Sequence, residues 1–229
     1  MKQYSGSAAH VRERFAEVRG RVDEAAGRAG RRAGDVEVLV ATKYVAADDM
    51  AVLVEAGVTL VGENRAQDLV AKHERFADAF TFDFIGHLQS RKVKQVLPLV
   101  RLIHSVSTES VVEELQSRAE NPVDVLLEVN IADEESKSGV PLAELDRFLD
   151  QAAAHDKVRF AGLMCMPPLE DDPERAAPYF ARTRKLASDL STRWAGRYTF
   201  GQLSMGTSAD YEVAVREGAT IVRVGSVLF

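Results

Sequence analysis

Eight short apolar runs, spaced along the chain with helical stretches between them, limit the possible folds more than any other feature. They occupy residues 36–42, 58–62, 82–86, 102–106, 123–130, 160–166, 202–205 and 220–224. The first, Val36-Glu37-Val38-Leu39-Val40-Ala41-Thr42, is dominated by β-branched and apolar residues. Such a run reads as a strand buried on both faces. Between the runs the periodicity changes. Leu145, Phe148, Leu149 and Ala152 recur at helical spacing within 142–155, and Val111, Val112 and Leu115 do so within 108–119. Strands alternating with helices predict a parallel sheet with covering helices. Eight strands in 229 residues predict a single closed (β/α)8 barrel of the TIM type, one domain over 1–229. An open doubly wound sheet is the competing architecture. It is weakened because no Gly-x-Gly-x-x-Gly follows the first strand.

An extra helix is predicted over 8–33, before the first strand, while the sequence ends at Phe229 soon after the eighth. A barrel needs outer cover beside its eighth strand, and this helix is the spare element, so it is expected to pack there. A net charge of -6 argues against a protein built around nucleic-acid phosphates. The one cysteine, Cys165, lies in an apolar strand and reads as a core thiol. No stretch is long enough to span a bilayer and the first residues carry no apolar signal core, so the expected location is the cytoplasm.

In a barrel of this kind the site lies at the C-terminal ends of the strands. Those positions are Lys43, Glu63, Asn64, His87, Gln89, Ser105, Asn130, Met166, Ser204, Arg223 and Ser226. Lys43 reads in two ways: a rim lysine that snorkels to solvent, or an amine held for Schiff-base chemistry with a carbonyl. The last two loops suit a phosphate. Ser204-Met205-Gly206-Thr207-Ser208 opens a helix, and Arg223-Val224-Gly225-Ser226 adds a guanidinium, a glycine and a hydroxyl. The plainer reading is that Ser208 caps its helix and Gly225 turns the chain. A strand-one lysine facing a phosphate site suggests a phosphorylated carbonyl compound. Pyridoxal 5'-phosphate (PLP) and a sugar phosphate both qualify.

The ordered motifs Ala41-Thr42-Lys43, Val61-Gly62-Glu63-Asn64 and Phe84-Ile85-Gly86-His87-Leu88-Gln89-Ser90 bear a family likeness. It continues in Val129-Asn130-Ile131, Ser136-Lys137-Ser138-Gly139, Gly162-Leu163-Met164, Leu203-Ser204-Met205-Gly206 and Val222-Arg223-Val224-Gly225-Ser226. With these motifs the chain resembles the pyridoxal-phosphate homeostasis proteins of the YggS/PROSC type over nearly its whole length. The resemblance implies a barrel similar to the alanine racemase N-terminal domain (PLP fold type III), with PLP carried on Lys43 as an internal aldimine. Ser204, Arg223, Gly225 and Ser226 are implied as phosphate-side contacts, and Asn64 as a contact near the cofactor ring. It further implies a protein that buffers or delivers PLP to PLP-dependent apo-enzymes and balances vitamin B6 and amino-acid pools, without assigned catalytic residues. Arg91 departs from the asparagine frequent in the family.

The alternative function is a PLP-dependent amino-acid racemase. Racemisation needs an acid or base on each face of the substrate carbanion. Lys43 serves one face, and no tyrosine is assignable to the other. Either Arg223 or Ser204 is also a candidate neighbour of the pyridine nitrogen. Lys137 is a candidate transient acceptor for PLP. Arg91, Lys92 and Lys94 read as a solvated helix face. His73-Glu74 lacks the second histidine of a zinc motif, and no metal site is expected.

Overall fold

The computed structural model describes residues 7–134, 138–168 and 170–229. The chain opens with α1 (Ala8–Arg28), capped by Ser7, whose hydroxyl accepts from the His10 N–H at 3.3 Å. Alternation then sets in: β1 (Glu37–Ala41), α2 (Ala51–Glu55), β2 (Leu60–Glu63), α3 (Ala66–Phe76), β3 (Thr81–Phe84), α4 (Val93–Val96), β4 (Leu102–Val106), α5 (Glu109–Arg118) and β5 (Val123–Asn130). The two-residue β6 (Val140–Pro141) is followed by α6 (Leu145–Ala152), β7 (Val158–Met164), α7 (Ala177–Arg193), β8 (Gln202–Ser204), α8 (Tyr211–Arg216) and β9 (Ile221–Val224).

All strand pairs are parallel, in the order β4-β3-β2-β1-β9-β8-β7-β5. β5 returns to β4 through Ile103↔Val125 and Val106↔Leu127, which closes eight strands into a barrel. β6 only extends one edge of β5. Closure excludes the open sheet. Strand alternation sorts the side chains. Val38, Val40, Val61, Phe82 and Val125 join the layer shared with the helices. Leu39, Leu102, Leu126, Met164 and Ile221 form a separate inner cluster, with Leu60 and Ile85 against it. Where β7 and β8 run side by side, a Cβ on Gly162 would lie 1.9 Å from the Gln202 carbonyl oxygen, so only glycine fits.

α1 packs against α8 and α2, the helices before the eighth barrel strand and after the first. It buries Val11, Val18, Val22, Ala25 and Ala26. Arg14 Nε donates to the Val227 carbonyl at 3.2 Å, and Arg31 Nη1 donates to that of Ala219 at 2.7 Å. This is the cover expected for the eighth strand. The helix stops at Arg28 rather than at 33, for a local reason. Gly30 turns left-handed at φ +73°, and its N–H donates to Gly27 while the Arg31 N–H donates to Ala26. That is a Schellman termination. No helix among the described residues is long and apolar enough to cross a membrane.

Candidate functional site

A cavity of about 440 Å³ opens at the C-terminal ends of the strands. Its size suits a small-molecule ligand. Lys43, Tyr44, Asn64, Ile85, Gly86, Met166, Thr207, Ser208, Arg223, Gly225 and Ser226 are among its lining. Of the six residues singled out from the sequence, Lys43, Asn64, Arg223, Gly225 and Ser226 therefore share one cavity. Ser204 does not line it and lies buried below.

Lys43 stands two residues beyond β1. Its tip is exposed and its Nζ lies 4.9 Å from the centre of the Tyr44 ring. Its stem is anchored by the residue before it. The fully buried Thr42 donates its N–H to the Gly62 carbonyl at 3.0 Å and its hydroxyl to Glu63 Oε1. Lys72, from α3, donates to the Thr42 carbonyl at 2.8 Å and to Glu63 Oε1. Glu63 and Lys72 are 0% and 3% exposed, so a buried ion pair holds the backbone from which Lys43 projects. A fixed stem and an accessible amine suit a group that must meet a ligand atom repeatedly at one place.

Asn64 and Gly86 form one wall. A Cβ on Gly86 would lie 2.2 Å from the Asn64 carbonyl oxygen, which requires glycine there. The side-chain Oδ1 of Asn64 is buried and has no hydrogen-bond partner among the described residues. An orphaned acceptor of this kind costs about 1–3 kcal/mol unless a donor completes it. The opposite wall joins the loops after β8 and β9. Ser208 Oγ accepts the N–H groups of Gly225 at 2.9 Å and Val227 at 3.4 Å, so it ties the two loops and does not cap α8. Thr207 donates its N–H and hydroxyl to Asp210 Oδ1 at 2.6 and 3.0 Å. A Cβ on Gly225 would sit 3.2 Å from the Ala41 carbonyl oxygen, a tight approach that favours glycine.

Arg223 is 6% exposed and reaches the cavity from β9. Its Nη1 donates to Ser204 Oγ at 2.5 Å and its Nη2 to the Cys165 carbonyl at 3.0 Å, with Met166 Sδ at 2.9 Å from Nη2. Burial lowers its pKa, opposed by the fields of Cys165, Asp210 and Glu128. Ser204 Oγ in turn lies 2.8 Å from His104 Nδ1. The other strand-end polar groups serve the loops. Ser105 donates its hydroxyl to the Gly86 carbonyl, while Asn130 holds the backbone of Glu134 through both side-chain atoms. Cys165 is buried, and burial pushes its thiol up to about 11. Lys137 lies outside the described residues.

Tyr44 and Gly86 join the cavity without having been placed there from sequence, whereas Met166 stood among the strand-end positions and Thr207 in the loop read as a phosphate site. Ser208 was visible in the loop after the seventh strand. Gly86 could have been flagged as a glycine at a strand end. The family described as alanine racemase, N-terminal domain, matches residues 19–229. A pyridoxal phosphate homeostasis protein of Aquifex aeolicus is 38% identical over 221 residues, which cover 95% of this chain and 96% of that one. The chain belongs to the alanine racemase N-terminal domain family, among its pyridoxal phosphate homeostasis proteins. PipY of Synechococcus elongatus, solved with PLP bound, superposes with a TM-score of 0.81 at 29% identity, covering 96% of this chain and 99% of PipY. Alanine racemase from Corynebacterium glutamicum gives a TM-score of 0.69 at 8% identity and covers 97% of this chain but 60% of the racemase. That likeness is one of fold alone.

Proposed function

We propose that this chain is a single-barrel protein that binds pyridoxal 5'-phosphate and buffers it or passes it to PLP-dependent apo-enzymes, with Lys43 holding the cofactor. One observation carries the reading. A single cavity gathers an accessible lysine, an orphaned buried amide oxygen, a buried arginine and two hydroxyl-bearing loops, in a chain 29% identical to a protein solved with PLP. The donor set fits the group. The Lys43 amine is free to meet an aldehyde. Ser226 and Ser208 present hydroxyl groups suited to a phosphate dianion. Arg223 adds positive charge, and Asn64 Oδ1 offers an acceptor to a phenol or ring donor. When bound, the cofactor supplies an electrophilic carbonyl and an electron-withdrawing pyridine ring.

The residues around Lys43 favour holding over turnover. Thr42, Glu63 and Lys72 fix its stem, and Tyr44 is its neighbour in sequence and in space. A racemase sets its second acid or base across the substrate from the lysine. Tyr44 instead stands beside the amine.

Absorbance of the purified protein after PLP addition, with and without borohydride, tests the reading. A visible band is expected that borohydride abolishes, with reduced cofactor recovered on Lys43. Lys43→Ala is expected to lose the band. A Lys43→Ala protein with an unchanged band, or reduced cofactor on another lysine, would refute the assignment of Lys43. Turnover of an amino-acid stereocentre at an enzyme-like rate would replace the carrier with the racemase.

A further inference from the structure

Below the cavity, a file of polar side chains runs down the barrel interior, where packed apolar layers are the rule. Arg223 Nη1 donates to Ser204 Oγ at 2.5 Å, and Ser204 Oγ lies 2.8 Å from His104 Nδ1. His104 Nε2 lies 3.1 Å from Asp83 Oδ2. Arg101 closes a two-pronged contact on Asp83, Nε to Oδ1 at 3.0 Å and Nη2 to Oδ2 at 2.7 Å, and sends Nη1 to Glu37 Oε1 at 2.6 Å. Ser204, His104 and Asp83 are fully buried. Arg101 and Glu37 reach the surface at the opposite end of the barrel from the cavity.

The file fixes the direction of each of its hydrogen bonds. Both Asp83 oxygens accept from Arg101, so the proton between Asp83 and His104 belongs to Nε2 of the ring. Burial holds the imidazole below its ordinary pKa, and the charges of Arg223 and Arg101 act in the same sense against the Asp83 contact. Its Nδ1 is then a bare acceptor. Ser204 has a single O–H, which points to that Nδ1, and this leaves oxygen lone pairs for the guanidinium of Arg223. Replacing such a file with apolar residues would cost little stability or even add some. Its value lies in geometry.

We propose that His104 is a positioning residue for Arg223: as the Nε2–H tautomer on Asp83 it turns Ser204 into an acceptor, and Ser204 with the Cys165 carbonyl fixes the guanidinium plane at the cavity. Its cofactor arm rests on the PLP reading above, while the tautomer does not.

Proton–nitrogen correlation spectra of the cofactor-free protein near neutral pH are expected to show His104 neutral with its proton on Nε2. An imidazolium, or a proton on Nδ1, overturns the proposal. In the PLP-loaded protein, Ser204→Ala cuts the file while leaving the ring on Asp83, and His104→Gln retains an amide able to reach one neighbour. Ser204→Ala is expected to weaken PLP binding about tenfold, the scale of one lost hydrogen bond to a charged group, and to displace the visible band. His104→Gln should fall between Ser204→Ala and the parent. A purely structural file would lower the thermal midpoint alone, so unchanged affinity and band in Ser204→Ala would overturn the proposal. A parent protein that takes up no PLP defeats the functional reading instead, and the ring spectrum still judges His104.

Discussion

Two lysines in contact with the same short stretch of backbone show how differently one residue type can be used. Lys43 projects into solvent, whereas Lys72 is buried with its amine on Glu63 and on the Thr42 carbonyl. Truncating one member of a buried ion pair strands the other charge. Lys72→Met is therefore expected to destabilise the protein by about 3–5 kcal/mol in urea unfolding, with part recovered in Lys72→Met/Glu63→Gln. A single variant of parental stability would show that the pair contributes nothing. Cys165 offers a chemical check. A thiol raised to about 11 by burial is protonated at neutral pH and should resist alkylation until the protein unfolds. Rapid labelling of the native state would contradict its placement. Lys43 was legible because a charged residue ending an apolar strand stands out. Lys72 was not, since a lysine in an amphipathic helix ordinarily marks the solvated face. Asp83 and His104 were hidden within apolar runs, although Asp83 between Phe82 and Phe84 carries the period-two signature of a residue facing the other way. Ser204 was correctly seen at a strand end, but sequence does not say whether a serine points outward to a ligand or down into the barrel.

At the scale of elements, the barrel was readable because each strand is a separate apolar run and segments such as 108–119 and 142–155 carry a helical period. Helix lengths were less so. The reading to residue 33 overran a glycine turn whose hydrogen bonds, not its composition, end α1 at Arg28. β6 is two residues long and depends on the register of β5, which no local pattern encodes. α1 has a structural role that can be tested directly. Val18 is 1% exposed in the seam with the barrel helices. Val18→Asp places an unpaired charge there and should cost about 4 kcal/mol, the upper end for single substitutions. Equilibrium unfolding measures this. A loss within experimental error would mean that α1 is dispensable cover.

For the whole molecule, pH sensitivity follows from His104, which faces Asp83, Arg101, Arg223 and Ser204 inside the barrel. Its folded pKa is lowered from 6.5 by burial, so the unfolded chain binds the extra proton first. The sign follows: stability is fully present above about pH 6.5 and is lost as pH falls toward the lower folded value, by at most about 1.4 kcal/mol per pH unit. Urea midpoints from pH 8 to 5 should show this slope, flattened in His104→Gln; an equal slope in both proteins would assign the effect to other groups. The seat of α1 has a consequence in time as well. Arg14 bonds to Val227, 213 positions later, and α8, one of the two helices that α1 packs against, likewise lies far along the chain. A ribosome therefore releases α1 long before α8 exists. Contacts this distant in sequence slow folding. The apolar stripe of α1 waits for α8 to emerge, and the step that seats α1 joins segments as much as 213 positions apart.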